Sequence, residues 1–502
     1  MKMVKSLILG SAAALVAVGG AQAADLPVKA KAIEYVKVCS LYGPGFYYIP
    51  GTDTCIKLGG YLRVDVLANT NSDDTGNTGL PASANNRFTN GYTWRSREDL
   101  NIDTRTATEY GVLRTFFDAT FTWTSGSYVG AGNGSTAYAT GADAVAGGSL
   151  GVYYAFIQFA GFTIGKAVSQ FSAPWTNYPG NNYDGLVGGG GTVTGVNQFT
   201  YTAQFGNGVS LSLSAQDQTQ YYQAGVNNLG VPGALGYGTS DYAGTIAPDL
   251  VAMLRVDQAW GLFQASFAAH DNHAAYNGAL GELSGHPDDK WGWAGQLALS
   301  IKNIPTGPGD TINMQGVYTD GATRYNIQDL AGQAGANQIY GGTNIPGVYQ
   351  SVGIGFAPDT VFAPGISQQT VKTWGFRGAY THNWDPYWNT AIYGAYAQVM
   401  YNDTAKTLLC GVGGVGGTVR TALGAGVVNC NPDYNIAQLG VITRWTPVKN
   451  LTFSADVTYT HLDQKYTGVA VAPNATVGKP AALYELKDQD TVLLLLRAQR
   501  NW

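Results

Sequence analysis

The chain has 502 residues and a formal charge of −5, with only 12% charged residues against 68 glycines, 32 tyrosines and 11 tryptophans. That balance excludes an electrostatic nucleic-acid binder. Patterned segments rich in Tyr, Phe, Val and Thr point to one large β domain rather than several helical ones.

The first 23 residues have the layout of a secretory signal peptide. Lys2 and Lys5 form a basic start, Leu7 to Val18 an apolar stretch, and Ala21-Gln22-Ala23 a small-residue cleavage site, so the mature chain is expected to begin at Ala24. Cleavage leaves 26 basic residues against 33 acidic ones, a formal charge of −7. No later apolar run reaches the ~18 residues that a spanning helix needs.

Residues 24–53 are a polar lead-in punctuated by Pro and Gly, and residues 54–502 are expected to form a single all-β domain. Its strands are predicted at 54–68, 92–106, 109–124, 150–159, 162–168, 195–206, 208–218 and 248–258 in the first half. The second half continues at 261–271, 290–302, 311–320, 369–383, 387–401, 434–446, 450–463 and 488–502. The alternation is cleanest at 198–216. Phe199, Tyr201, Ala203, Phe205, Leu211 and Leu213 share one face, and Gln198, Thr200, Thr202, Ser212 and Ser214 share the other.

Connection length alternates as strictly as polarity does. Short turns fall near Ala107, Ala160-Gly161, Asn207, Ala259-Trp260, Asn303, Asp385-Pro386 and Pro447, and every intervening connection is long. Eight long loops on one rim and seven short turns on the other describe a 16-stranded antiparallel transmembrane β-barrel. Trp123, Trp260, Trp291, Trp374, Trp384, Trp388, Trp445 and Trp502 fall at or near strand ends, as aromatic belts at two membrane interfaces require. The apolar face then meets lipid and the polar face lines water. A barrel of this size is too wide for side chains to fill. Leu493 and Leu495 break the pattern, because their parity points them at water.

Cys39, Cys55, Cys410 and Cys430 form two local pairs, and three pairings are open. Loop closure favours 39–55 and 410–430 in an oxidising compartment. Neither pair has metal-site spacing, and no cofactor is implied. Gly411 to Gly416 matches G-x-G-x-x-G inside a long loop without the strand and helix that a dinucleotide site needs. His270 and His273 are expected to be solvated at a strand end, and no convergent catalytic constellation is visible, so an enzyme is not expected.

Three segments carry a resemblance. Tyr48 to Tyr61 (YIPGTDTCIKLGGY), Tyr92 to Asp99 (YTWRSRED) and Phe156 to Lys166 (FIQFAGFTIGK) resemble strand and hairpin signatures of the alphaproteobacterial trimeric general porins, across the whole mature chain. The resemblance implies an outer-membrane homotrimer of a Gram-negative bacterium for passive diffusion of small hydrophilic solutes and ions. It also implies a third long loop, about Ser169 to Thr194, folded into the barrel. Trp502 stands where such barrels present a terminal aromatic to the barrel-assembly machinery. By position, Lys166 corresponds to a basic residue before the inward loop, whose only acid is Asp184. With Arg63, Arg95, Arg97 and Arg114 at inward parity, these residues are the expected pore constriction. A substrate-specific channel of the same fold would carry a line of aromatics in the lumen, whereas the parity here turns aromatics outward. A surface adhesin or barrel enzyme is the alternative of another class.

Overall fold

The computed structural model describes residues 37–70, 92–124, 149–174, 180–182, 185–189, 195–217, 219, 222–327, 337–411, 417–471 and 479–502. The expected signal peptide and residues 24–36 of the lead-in lie outside them.

Sixteen antiparallel strands close into one barrel. The first eight are β1 (Cys55–Asn69), β2 (Thr93–Thr108), β3 (Gly111–Thr124), β4 (Ser149–Phe159), β5 (Phe162–Ala167), β6 (Val196–Gly206), β7 (Val209–Gln216) and β8 (Asp249–Gln258). The second eight are β9 (Gly261–Asn272), β10 (Lys290–Lys302), β11 (Thr311–Asp320), β12 (Ile366–Asn383), β13 (Trp388–Tyr401), β14 (Tyr434–Val448), β15 (Leu451–Gln464) and β16 (Gln489–Asn501). Each pairs with its neighbours in sequence. β16 closes the ring on β1, from Tyr61 opposite Asn501 to Asn69 opposite Leu493. Closure removes every strand edge from the wall, which a span through hydrocarbon requires.

The alternation resolves as expected on β6 and β7. Phe199 and Leu213 are more than half exposed on the outside, while Thr200 and Ser212 are fully buried inside. Of the belt tryptophans, Trp260, Trp291, Trp374, Trp384, Trp388, Trp445 and Trp502 are exposed. Several short turns need a left-handed backbone. They place Ala160, Asn207 and Asn450 at φ of 49°, 48° and 68°. Asn tolerates that region better than most side chains.

The N-terminal segment is fastened to the short-turn rim. Tyr47–Tyr48 pairs with the start of β1, and a disulfide joins Cys39 to Cys55. At the other rim, Cys410 is bonded to Cys430 within the β13–β14 connection, so both bonds follow the local pairing. That connection carries α1 (Asp403–Cys410), whose first turn is capped by the Asn402 side chain accepting from the Ala405 amide at 2.8 Å. Segments of three long connections, 337–341 and 350–355, 427–429, and 467–471 and 483–486, join into a five-stranded sheet.

The interior departs from the uniformly polar wall expected. An apolar core fills part of the long-loop end of the barrel. Loop residues Ile354, Phe356 and Leu409 belong to one buried cluster with the inward-facing Leu67, Tyr401 and Tyr434. Leu493 and Leu495 belong to it as well, at 3% and 0% exposure, so they point inward as parity dictates but meet packed loops instead of water. His270 is also buried rather than solvated. Its Nδ1 lies 2.9 Å from Asp249 and its Nε2 3.4 Å from Asp359, which joins β8 and β9 to the β11–β12 connection.

Candidate functional site

The site begins with the third long connection, 168–195. Its described residues run inside the barrel and are held by wall side chains. Ser169 donates to Gln216 on β7 at 2.8 Å, and Gln296 on β10 donates to the Phe171 carbonyl at 2.8 Å. Farther on, the Gln438 side chain on β14 accepts from the Val187 amide and donates to the Gly185 carbonyl, both at 2.9 Å. Arg444 donates to the Gly180 carbonyl at 2.6 Å, and Asp456 on β15 accepts from the Asn182 amide at 2.8 Å. A loop lying on water-facing wall leaves its backbone groups in need of partners, and these side chains supply them.

Space for the loop comes from small residues. The inner face of β13 carries Ala391, Ala395, Ala397 and Val399, and they share a buried cluster with Leu186 and Val187 of the loop. A Cβ on Gly180 would approach that of Ala379 to 2.8 Å, and one on Gly188 would approach the Phe376 backbone to 2.5 Å. Gly188 also has φ +91°, so glycine is required there on both counts.

Opposite the loop stand β16, β1, β2 and β3. Register sorts their inward residues into rows. Arg63 is directly across from Arg97, which is across from Thr122. Next comes Tyr61, Asp99 and Thr120, and then Asn101 with Asp118. Lys57, Asp103 and Phe116 follow, and Cys55, Arg105 and Arg114 end the series near the short turns. On the loop side of the first row, Asp65 accepts from Arg95 at 2.5 Å and from Arg497 at 2.6 Å, with all three side chains under 10% exposed. Arg63 donates to Gln499 at 2.8 Å and Arg97 to Thr122 at 2.9 Å.

The expected constriction residues therefore separate. Arg63, Arg95 and Arg97 are together on the inner wall. Arg114 is inward too, but eight residues along the register from Arg97, about 27 Å at roughly 3.4 Å per residue. There it donates to Asp103, 3.0 Å away, and to Gln158 at 2.9 Å. Lys166 lies on the outer face. It shares parity with the exposed Phe162 and Ile164, pairs with Ala155 and Asn197, and donates to the Val152 carbonyl at 2.7 Å. The period of two on β5 forces this placement, because Lys166 is two residues beyond Ile164. Asp184 lies outside the described residues.

Three kinds of residue escaped the sequence reading. Arg497, one of many inward cations by parity, proves to share Asp65 with Arg95. The loop-holding Gln438, Arg444 and Asp456 had no local signal beyond polarity. A bulge on β4 opposite Asp118–Ala119 turns Tyr153 as well as Tyr154 inward, contrary to the outward parity expected of the aromatics. Arg97 lies over the Tyr153 ring at 5.6 Å.

A closed antiparallel barrel with belted walls and a loop held across its interior defines a transmembrane barrel channel of the Gram-negative outer membrane. The chain belongs to the porin family: the family described as "Porin subfamily" matches residues 25–495. Porin Omp2b of Brucella suis biovar 1 (strain 1330) is 35% identical over 272 residues, covering 54% of this chain and 66% of the relative. Porin Omp2b of Brucella melitensis biotype 1 aligns with the same identity and coverage. The chain thus spans just under two thirds of the length of these curated relatives. Among solved structures, the outer membrane channel DcaP of Acinetobacter baumannii superposes with a TM-score of 0.56 at 14% identity, over 91% of this chain and 99% of that one. This last likeness concerns the fold alone.

Proposed function

We propose that the protein is a water-filled diffusion channel for small hydrophilic solutes and ions. The observation that carries this reading is the third loop hydrogen-bonded along the inner wall from β7 to β15, facing the arginines of β1, β2 and β16. The loop narrows the lumen, and the fixed charges opposite it act on whatever passes. Arg63, Arg95 and Arg97 are assigned to this constriction with Arg497, and Asp184 to the loop side by sequence. Arg114 is assigned to the exit near the short turns. The family is one of channels, which favours transport over enzymatic work.

The working form is read as a homotrimer in outer-membrane lipid, inserted by the barrel-assembly machinery through β16. One flank suits contact between copies. Glu98 points outward between Leu62 and Phe121, which are both about half exposed. A carboxylate facing hydrocarbon is unfavourable, so this flank fits a second protomer better than lipid. Swelling of proteoliposomes in isotonic solutions of graded sugars tests the pore directly. Rates above those of empty vesicles, falling with solute size, are expected. Vesicles that swell no faster than controls would contradict it.

A further inference from the structure

The open inner wall carries more than charge. Beside the constriction, the Arg63 guanidinium lies 4.3 Å from the Tyr61 ring centre, and Arg97 covers Tyr153. Lower on the same wall, Phe116 and Phe156 stack at 5.4 Å with an interplanar angle of 29°. Arg114 covers both rings, at 5.0 and 5.5 Å. At the short-turn mouth, Arg105 lies 4.8 Å from Phe46 of the disulfide-fastened N-terminal segment. Tyr61, Phe116, Tyr153 and Phe156 are all partly exposed on this wall.

Parity and register therefore align ring-and-guanidinium pairs along one wall, from the constriction to the short-turn mouth. A solvated wall needs arginines for charge but has no need of rings beneath them. A ring exposed to water in a lumen forfeits hydrophobic stabilisation that an outward or core position would give it. The pairing suits a solute with a flat apolar body and one negative charge: the body stacks on the ring while the carboxylate meets the planar donor fork.

We propose that this wall is a transit track for aromatic carboxylates, with one station at Tyr61, Arg63, Arg97 and Tyr153 and a second, for stacking alone, at the Phe116–Phe156 ring pair, where Arg114 is already tied to Asp103 and Gln158. Asp99 and Asp118 face the lumen between the stations. The acidic stretch, which includes Asp103 at the second station, weakens the hold on an anion, and multi-site passage needs weak binding at each station. The proposal rests on the pore reading and adds the class of solute to it.

The test is single-channel recording of the full-length protein in KCl, with benzoate, acetate or glucose added to one chamber. Benzoate should interrupt the current in resolved blocks, while acetate and glucose at equal concentration should not. Phe116→Ala with Phe156→Ala should shorten the benzoate blocks about fivefold, the scale of a lost ring contact. Arg97→Lys keeps the charge but loses the planar fork. It should shorten the blocks as well. KCl steps with no benzoate block, equal block by acetate or glucose, or blocks indifferent to both substitutions would each overturn the track and leave the pore standing. Absence of any KCl step would overturn the pore and the track together.

Discussion

Arg63 and Arg97 face each other directly across β1 and β2, both on the inner side of the barrel. Like charges directly opposite destabilise a strand pair. The wall tolerates them because Gln499 and Thr122 accept from them and the carboxylates of Asp65 and Asp99 are the next residues on the same face. Their fixed positive charge is then available to passing ions.

Selectivity should follow from this pair. Arg97→Glu changes the local charge by two units. At roughly 5 Å in water that alters an ion's energy by about 1.7 kcal/mol, or somewhat over tenfold in partition before screening. The zero-current potential in a salt gradient should move toward cation preference for Arg97→Glu and Arg63→Glu. Asp184→Asn should move it toward anions. Lys166→Glu, on the outer face, should leave it in place, and a shift as large as that of Arg97→Glu would show that the β5 register is wrong.

The oligomer should resist SDS at low temperature. Glu98→Arg is expected to lower the temperature at which it dissociates while each barrel stays folded. Sedimentation of the unmodified protein as a monomer in mild detergent would count against the trimer, and an unchanged dissociation temperature would remove Glu98 from the contact.

Reduction of Cys410–Cys430 should matter locally. The bond restrains the β13–β14 connection, whereas the barrel wall is held by strand pairing. Reduced protein should be cut faster by protease between those cysteines, with its β-sheet circular dichroism retained. Loss of the barrel on reduction would give the bond a larger role than its position implies.

Acid should loosen the β10–β11 turn. Asp310 is fully buried there. Burial opposes its charge, but hydrogen bonds from Thr306, the Asn383 amide, His382 and Tyr380 outweigh that and hold its carboxyl well below the usual carboxylate range. A depressed value in the folded state stabilises the fold above the unfolded value of about 3.9. That contribution is lost as pH falls through the lower, folded value. The thermal midpoint should therefore fall on acidification below about pH 4, and Asp310→Asn should flatten this dependence and lower the midpoint at pH 7. A parallel acid response in both proteins would detach Asp310 from it.

Much of this architecture was legible in the sequence, because a barrel wall obeys one local rule. Strand period and the sorting of loop lengths were enough to define the 16 strands, and Phe199 and Thr200 took the faces that the rule predicts. The rule also contained the true position of Lys166, two residues beyond Ile164, although the family likeness suggested the lumen. Hairpin register is local too: the short turn near Ala107 already sets Arg114 beside Arg105 and far from Arg97, which grouping the arginines by charge overlooked. A period of two does not reveal the bulge that turns Tyr153 inward. Loop packing was equally hidden: Leu493 and Leu495 broke the pattern visibly, but the residues clustered with them come from separate long connections, among them Ile354, Leu409 and Tyr484. The small inward residues of β13 were a usable signal that something must lie against that wall.

The central claim is that a water-filled passage runs past the third loop. Single-channel conductance of the purified protein in a planar bilayer tests it most directly. The account predicts ohmic current steps on insertion, closing in thirds as each protomer of a trimer shuts under high voltage. Protein that inserts as a folded barrel yet passes no ion current would contradict it.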